Sequence, residues 1–249
     1  MRNTVYSNAL ITGASSGLGR GLALHFAAQG TKVYAAARRK AELDALAKEN
    51  PNIVPLVLDV ANGSATHAAV EKVDQESGGL DLVIANAGIA DRTPGKRMDW
   101  PVLERLIDIN VKGACATLAG AMPGMVSRGK GHLVATSSLA AYIGLPRMAG
   151  YCASKIFLAT FLDSLRIDLE PLGVQVTCLH PGYVKTDLTA KNTGQMPFLM
   201  ELEPAVKKMA SAIERRLPSY AFPWQLATAL KTVSTLPRGL TQAAAKRMT

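Results

Sequence analysis

The sequence is short of sulfur ligands, carboxylates and long apolar runs. Its three cysteines, Cys115, Cys152 and Cys178, are odd in number, widely spaced and without a Cys-x-x-Cys pair. A disulfide framework and a structural zinc site are therefore not expected, and reduced, buried thiols are. His25, His67, His132 and His180 show no ligand spacing, so no metal is expected either. No apolar run reaches the roughly 18–20 residues of a membrane span. The first eight residues pass straight into a short apolar strand, without the apolar segment and small-residue cleavage site of a secretory signal. A cytoplasmic protein is expected. Acidic residues number 19 against 28 basic ones, a formal charge of +9, which raises nucleic acid as a partner. The cations are scattered, however, as Arg38-Arg39-Lys40, Lys96-Arg97, Lys207-Lys208, Arg215-Arg216 and Lys246-Arg247. With no basic arm or aromatic stacking platform, a nucleic-acid-binding module is not expected.

What is there is a strong hydrophobic pattern. At 249 residues and 48% hydrophobic, the chain can bury one large core and is not of disordered composition. Apolar runs at 9–11, 32–36, 54–58, 82–85, 132–136 and 175–179 alternate with helical periodicity at 17–29, 40–49 and 65–77. Strands apolar on both faces, each followed by a helix, predict an α/β fold: one domain, a doubly wound parallel sheet with helices on both faces. Two longer helices are expected at about 100–127, broken or bent near Pro123, and about 151–170, ending before Pro171 and Gly173. Residues 187–203 lack a clean period and read as a flap. A helix follows from Glu203-Pro204 to about residue 217.

Directly after the first strand stands Thr12-Gly13-Ala14-Ser15-Ser16-Gly17-Leu18-Gly19, followed by a helix. Gly13 permits the sharp exit from the strand, Gly17 lets the backbone approach a pyrophosphate, and Gly19 allows close helix–sheet packing. The helix N-terminus offers free N–H groups to the anion. A kinase or ATPase phosphate loop is excluded because no Gly-Lys-Ser/Thr follows. At the end of the second strand, an NAD site wants a carboxylate; here Ala37 removes that charge and Arg38 supplies donors for a 2′-phosphate. Ser15 is a second candidate ligand, and Ser16, Leu18 and the three glycines complete the loop. NADP(H) is the expected cofactor.

Ser138 and Tyr151-Cys152-Ala153-Ser154-Lys155 add chemistry. Tyr151 and Lys155, four apart on a helix, share a face. A phenol titrates near pH 10, and a nearby ammonium favours its ionised form. A serine hydroxyl beside them can polarise a carbonyl.

With these motifs in this order, the sequence resembles the short-chain dehydrogenase/reductase family over roughly residues 7–188. The resemblance rests on the 12–19 loop, Asp59-Val60, Asn86-Ala87-Gly88, Asn110, Ser138, Tyr151, Lys155 and Pro181-Gly182. It implies Tyr151 as general acid–base, Ser138 as orienter of the substrate carbonyl, and Lys155 as a ligand of the nicotinamide ribose that lowers the tyrosine pKa. Asn110 is implied to hold a relay water. Asp59 and Val60 are implied to contact adenine, Asn86, Ala87 and Gly88 to support the sheet beside the cofactor, and Pro181, Gly182, Val184 and Thr186 to fix the carboxamide. The family spacing selects Ser138 over Ser137; Ser137 and Ser154 are read as structural. Two departures stand out. Ala85 occupies a place where the family usually has asparagine, and the chain ends in Ser219-Tyr220-Ala221-Phe222-Pro223-Trp224 and a helix-like tail, not in a glycine-rich strand. Tetramer formation by that route is in doubt; a homodimer through the two long helices is expected.

In the tail, Leu226, Leu230, Val233 and Leu236 recur at helical spacing, with Lys231, Arg238, Lys246 and Arg247 nearby. Such a helix could rest on an anionic membrane, cover the substrate pocket or meet a dimer partner; packing against the domain is the commoner fate. Tyr142 and Tyr183 are open between pocket lining and packing. The expected function is hydride transfer between NADP(H) and a small carbonyl or alcohol, with Leu188, Met196, Phe198, Leu199 and Met200 predicting an apolar substrate end. The rival is a non-catalytic regulator sensing NADP(H). It would be marked by a broken catalytic set, whereas Asn110, Ser138, Tyr151 and Lys155 are all present.

Overall fold

The computed structural model describes residues 6–190, 192 and 194–246. Residues 1–5, Lys191 and Thr193 of the flap, and Arg247 of the last basic pair lie outside them. Short apolar runs form the strands: β1 (Asn8–Thr12), β2 (Lys32–Ala37), β3 (Ile53–Val57), β4 (Leu82–Ala85), β5 (Gly131–Thr136) and β6 (Val174–Pro181). A seventh, β7 (Ser219–Phe222), pairs with β6. All pairings are parallel, in the order β3-β2-β1-β4-β5-β6-β7. This is the doubly wound α/β sheet that the alternating pattern predicts.

The two-residue period along each strand sends side chains to two separate cores. On β1, Ala9 and Ile11 join α1 (Gly17–Ala28), α2 (Lys40–Glu49) and α8 (Leu202–Glu214) through Leu22, Phe26, Leu46 and Met209. Leu10 faces the other way, toward α3 (Gly63–Glu76), α5 (Ala114–Arg128) and α6 (Ala149–Leu169), where Val70, Leu118 and Leu162 are buried. Each such aliphatic side chain contributes about 1.5–3 kcal/mol on burial. The chain winds outward from β1 to β3, then returns to β4 on the other side of β1. The loops after β1 and β4 therefore diverge and leave a crevice at the carboxyl end of the sheet.

Three elements differ from expectation. The long helix after β4 is irregular not at Pro123, which α5 passes through, but well before it, in a π-helical segment. It divides into α4 (Trp100–Ile107), the π-helical segment Asp108–Gly113, and α5. Gly113 lies so near Val60 that a Cβ would fall 2.5 Å from the Val60 carbonyl oxygen, and the widened turn accommodates that approach. Residues 219–222 form a true strand despite lacking glycine. The tail is two helices, α9 (Trp224–Ser234) and α10 (Arg238–Lys246), broken at Pro237. Their apolar faces, with Leu226, Leu230 and Ala245 buried, pack on Leu139 and Ile143, so the domain-packing alternative holds for that face. In the flap, α7 (Asp187–Ala190) is one turn, and a bridge between Val184 and Met200 ties its far end to the core. No helix among the described residues is long and apolar enough to cross a membrane.

A buried polar network anchors the amino end of the sheet. Tyr6 Oη lies 2.7 Å from His132 Nδ1, His132 Nε2 2.8 Å from Thr177 Oγ1, and Thr177 Oγ1 donates to the Leu217 carbonyl at 2.7 Å. Because Thr177 spends its proton on Leu217, His132 Nε2 is the donor and Nδ1 accepts from Tyr6. Burial, reinforced by Arg216, holds His132 neutral, down to about 3. A histidine with a depressed folded-state pKa contributes stability that is complete above about 6.5 and lost as pH falls toward 3, at about 1.4 kcal/mol per unit. In thermal melts, His132→Gln is expected to be less stable than wild type at pH 7.5, with the gap narrowing by pH 5. A gap that widens on acidification would contradict a neutral His132.

Candidate active site

The glycine loop follows from local geometry. Gly13 has φ +69°, a left-handed conformation costly for any side chain, and a Cβ on it would meet the Ala87 backbone at 2.8 Å. At Gly19 a Cβ would come within 2.4 Å of the Gly13 carbonyl oxygen. The loop therefore folds under the start of α1 and against the β4 loop. Thr12 Oγ1 accepts the Asn86 and Ala87 amides at 3.1 and 3.2 Å, and Asn86 Nδ2 donates to the Thr12 carbonyl at 3.2 Å. Thr136 Oγ1 closes the set by donating to Asn86 Oδ1 at 3.2 Å. Asn86 thus links the ends of β1, β4 and β5, while Ala85 is buried and contributes only its backbone.

The N-terminus of α1 has no side-chain cap: Ser16 is the N-cap residue in extended conformation, and the first turn holds no acid. Its amides and positive dipole end fit a phosphate. Ser16 and Gly17 sit at that entrance. Leu18 packs partly on the core, and Thr186 lies beside Gly17, its Cγ2 at 3.3 Å from where a Cβ would be. At the end of β2 both Arg38 and Arg39 are exposed. It is Arg39, passed over in favour of its neighbour, that reaches the loop: its Nε and guanidinium donate to Ser15 Oγ at 3.1 and 2.9 Å. Adjacent identical residues at a strand end give no sequence signal to separate them. After β3, Asp59 is exposed and accepts the Ala61 amide, while the Val60 side chain is buried.

The reactive groups gather on the other flank of the crevice. Ser138 caps the short 3₁₀ turn Leu139–Ala141, accepting the Ala140 amide at 3.1 Å and donating to the Pro181 carbonyl at 3.4 Å. The Ser138 side chain is near enough to the Tyr151 hydroxyl to favour its ionised form. Lys155 is 4% exposed; its Nζ donates to the Thr136 carbonyl at 2.8 Å and lies 5.7 Å from the Tyr151 ring centre. Ser137 Oγ donates to the Lys155 carbonyl at 2.7 Å, fixing the helix that carries it. Gly182 donates to the Phe222 carbonyl at 2.7 Å, Val184 is buried, and half-buried Thr186 donates its hydroxyl to the Val184 carbonyl at 3.4 Å.

Burial lowers Lys155 to about 8, whereas burial raises Tyr151 above its ordinary value, opposed by nearby Ser138. Asn110, which the resemblance implies holds a relay water, has side-chain partners of its own. Its side chain is fully buried and occupied: Oδ1 accepts the Ile89 amide at 2.8 Å, and Nδ2 donates to the Ile89 carbonyl at 2.9 Å and to Ser154 Oγ at 3.0 Å. Asn110 is a clamp between the β4 loop and α6.

Behind Ser138 lies a feature the sequence did not announce. Tyr142 stacks on His180 at 5.4 Å, and Lys231 Nζ of α9 stands 5.4 Å from the Tyr142 ring centre. Burial pushes Tyr142 up to about 12 and His180 down to about 4. Tyr142 and Tyr183 both pack against the apolar cluster beneath the C-terminal helices. Burial raises Cys115, Cys152 and Cys178, as suits unreactive thiols. No group of residues that could hold a metal occurs among the described residues.

A parallel sheet with a glycine-lined crevice, an uncapped helix N-terminus and a Ser–Tyr–Lys cluster defines a nucleotide-dependent oxidoreductase fold. The short chain dehydrogenase family model matches residues 7–197, and the chain belongs to that family. An uncharacterised oxidoreductase of Myxococcus xanthus is 49% identical over the whole of both chains. Among solved structures, a short-chain dehydrogenase from Sphingobium yanoikuyae in complex with NADPH superposes with a TM-score of 0.83 at 28% identity, over 95% of each chain. The 3-ketoacyl-(acyl-carrier-protein) reductase of Brucella melitensis complexed with NADH gives 0.77 at 25%, over 86% of this chain and 95% of that one.

Proposed function

We propose that the chain is an NADP(H)-dependent dehydrogenase/reductase interconverting a carbonyl and an alcohol on an apolar small molecule, with the whole chain acting as one catalytic domain. The observation that carries this reading is Tyr151 beside Ser138 and one helical turn from buried Lys155, whose Nζ lies 5.7 Å from the Tyr151 ring centre. The chemistry a nicotinamide would supply when held here is hydride transfer to the carbonyl carbon. Tyr151 gives its proton to the carbonyl oxygen, Ser138 holds that oxygen in place, and Lys155 binds the cofactor ribose beside the phenol. The raised tyrosine suits the acid role in reduction, since the proton to be donated is present at neutral pH. The glycine loop, Ser15, Ser16, Leu18, Asp59, Val60, Asn86–Gly88 and residues 181–186 would line the cofactor.

The 2′-phosphate preference rests on neutral Ala37 and on two arginines, with Arg39 already beside Ser15. Relatives of the same fold are found with NADPH and with NADH, so this chain's own residues carry the argument. Titration calorimetry is expected to show NADPH binding well above NADH. Removing either arginine with alanine should cost about 10- to 100-fold in NADPH affinity, the equivalent of a charge-assisted hydrogen bond. Tyr151→Phe should bind NADPH normally and lose about 10²–10⁴-fold in kcat. Equal affinity for NADH would refute the NADP(H) assignment, and full turnover by Tyr151→Phe would refute the acid–base role.

A homodimer through the long helices is part of the same proposal. Ile156, Phe157 and Ile167 leave α6 exposed, an apolar stripe of the kind a helix interface covers. Sedimentation velocity should give twice the chain mass for wild type and a monomer for Phe157→Glu/Ile167→Glu. A monomeric wild type would remove this part of the proposal.

A further inference from the structure

The chain has two tryptophans, and both are on the surface: Trp100 is 62% exposed and Trp224 71%. Such a ring ordinarily buries most of its area. Each tryptophan opens a helix that follows a strand, α4 after β4 and α9 after β7. Both therefore stand at the carboxyl end of the sheet, the end that holds Ser138, Tyr151 and Lys155. The strands they follow, β4 and β7, are three positions apart in the sheet, roughly 14 Å at the usual strand spacing. The loop after β6, between them in sheet order, exposes Phe198 and Leu199; Met98 precedes Trp100, and Leu240 is exposed on α10. Apart from Val57 and the α6 stripe with its following turn, the exposed large apolar side chains thus lie on this rim or on the C-terminal helices.

Charge follows the same distribution. After Glu214 the sequence has no carboxylate side chain, yet it carries Arg215, Arg216, Lys231, Arg238, Lys246 and Arg247. Exposed Lys96 and Arg97 immediately precede Met98. Rim carboxylates are largely engaged within the protein: Asp91 with Arg105 at 3.0 Å, Asp99 accepting the Val102 amide at 3.3 Å, and Glu201 with Lys185 at 3.1 Å. Asp187 lies in the first turn of α7. Exposed tryptophans on separate loops, flanked by cations, suit a surface that is apolar on one side and anionic at its boundary.

We infer that the substrate half of the cleft mouth docks on an anionic lipid bilayer. Trp100, Phe198, Leu199, Trp224 and Leu240 enter the headgroup boundary, and Lys96, Arg97 and Arg238 face lipid phosphates. The docking itself needs no catalysis. Its use rests on the proposed function: an apolar carbonyl compound dissolved in the bilayer would reach Tyr151 without crossing water.

Because the chain holds two tryptophans, intrinsic fluorescence of the full protein reads this surface. The protein is titrated with phosphatidylcholine vesicles and with phosphatidylcholine–phosphatidylglycerol vesicles, with co-sedimentation in parallel. The emission should move to shorter wavelength and the protein should pellet with the anionic vesicles. Binding should be at least about 10-fold tighter than to phosphatidylcholine alone and weakened by salt. Trp100→Ser/Trp224→Ser should lose pelleting while keeping wild-type NADPH affinity, which separates lost docking from lost folding. No pelleting and no shift would overturn the inference. So would a shift that grows with protein concentration without vesicles, which would assign the rim to a second copy. Failure of NADPH to bind wild type would strike the proposed function and leave the docking result standing.

Discussion

A buried ammonium with no carboxylate beside it sets the terms for the reactive end of this protein. Lys155 could have been neutralised by an acid, and the site would then hold a dead ion pair. Instead its charge rests on a single peptide carbonyl, that of Thr136, and burial weakens its hold on the proton. The surrounding elements converge on that arrangement. β5 ends so that its last carbonyl points at Nζ, Ser137 ties the helix carrying the lysine to the same strand, and Asn110 locks Ser154 of that helix to the β4 loop. Gly88 completes the enclosure: a Cβ there would lie 3.3 Å from Asn110 Oδ1 and 3.4 Å from Nζ. A loosely held cation next to a protonated phenol is an arrangement that a bound dinucleotide can tip in either direction.

The serine is held from the other side. Its loop is sandwiched between β6 and the C-terminal helices, whose buried Leu226 and Leu230 meet Leu139 and Ile143 on either side of the turn. Tyr142, His180 and Lys231 extend that contact as a line of rings and charge from α9 toward the Ser138 segment. The tail therefore belongs to the reactive centre's architecture, although it lies outside the stretch that the family model matches. The same helices present Trp224 and Leu240 outward, so one element has an inner face that orders the site and an outer face available to a surface.

What could be read from residues alone was whatever is written in local order. Six strands announce themselves as apolar runs bounded by polar residues, and the glycine loop and Tyr151-x-x-x-Lys155 have fixed spacing. The seventh strand did not, because Ser219–Phe222 is four residues long and becomes a strand only by lying beside β6. The π-helical turn at Asp108–Gly113 was invisible for a similar reason: its cause is the distant Val60 carbonyl and the reach of Asn110 to Ile89. Arg38 and Arg39 differ by one position, and only the path of the backbone out of β2 decides which guanidinium meets Ser15. Proline at 123 misled because a helix continues past proline where its neighbours supply enough packing.

The most direct test of this account is the titration of Lys155 itself. Protein labelled with carbon-13 lysine is followed by NMR across the alkaline range, beside Lys155→Met. The account predicts one lysine titrating near 8, far below the others, and missing from the variant. If every lysine titrates above about 10, or the low one persists in the variant, the buried and loosely held ammonium does not exist and the description of the site must be rebuilt.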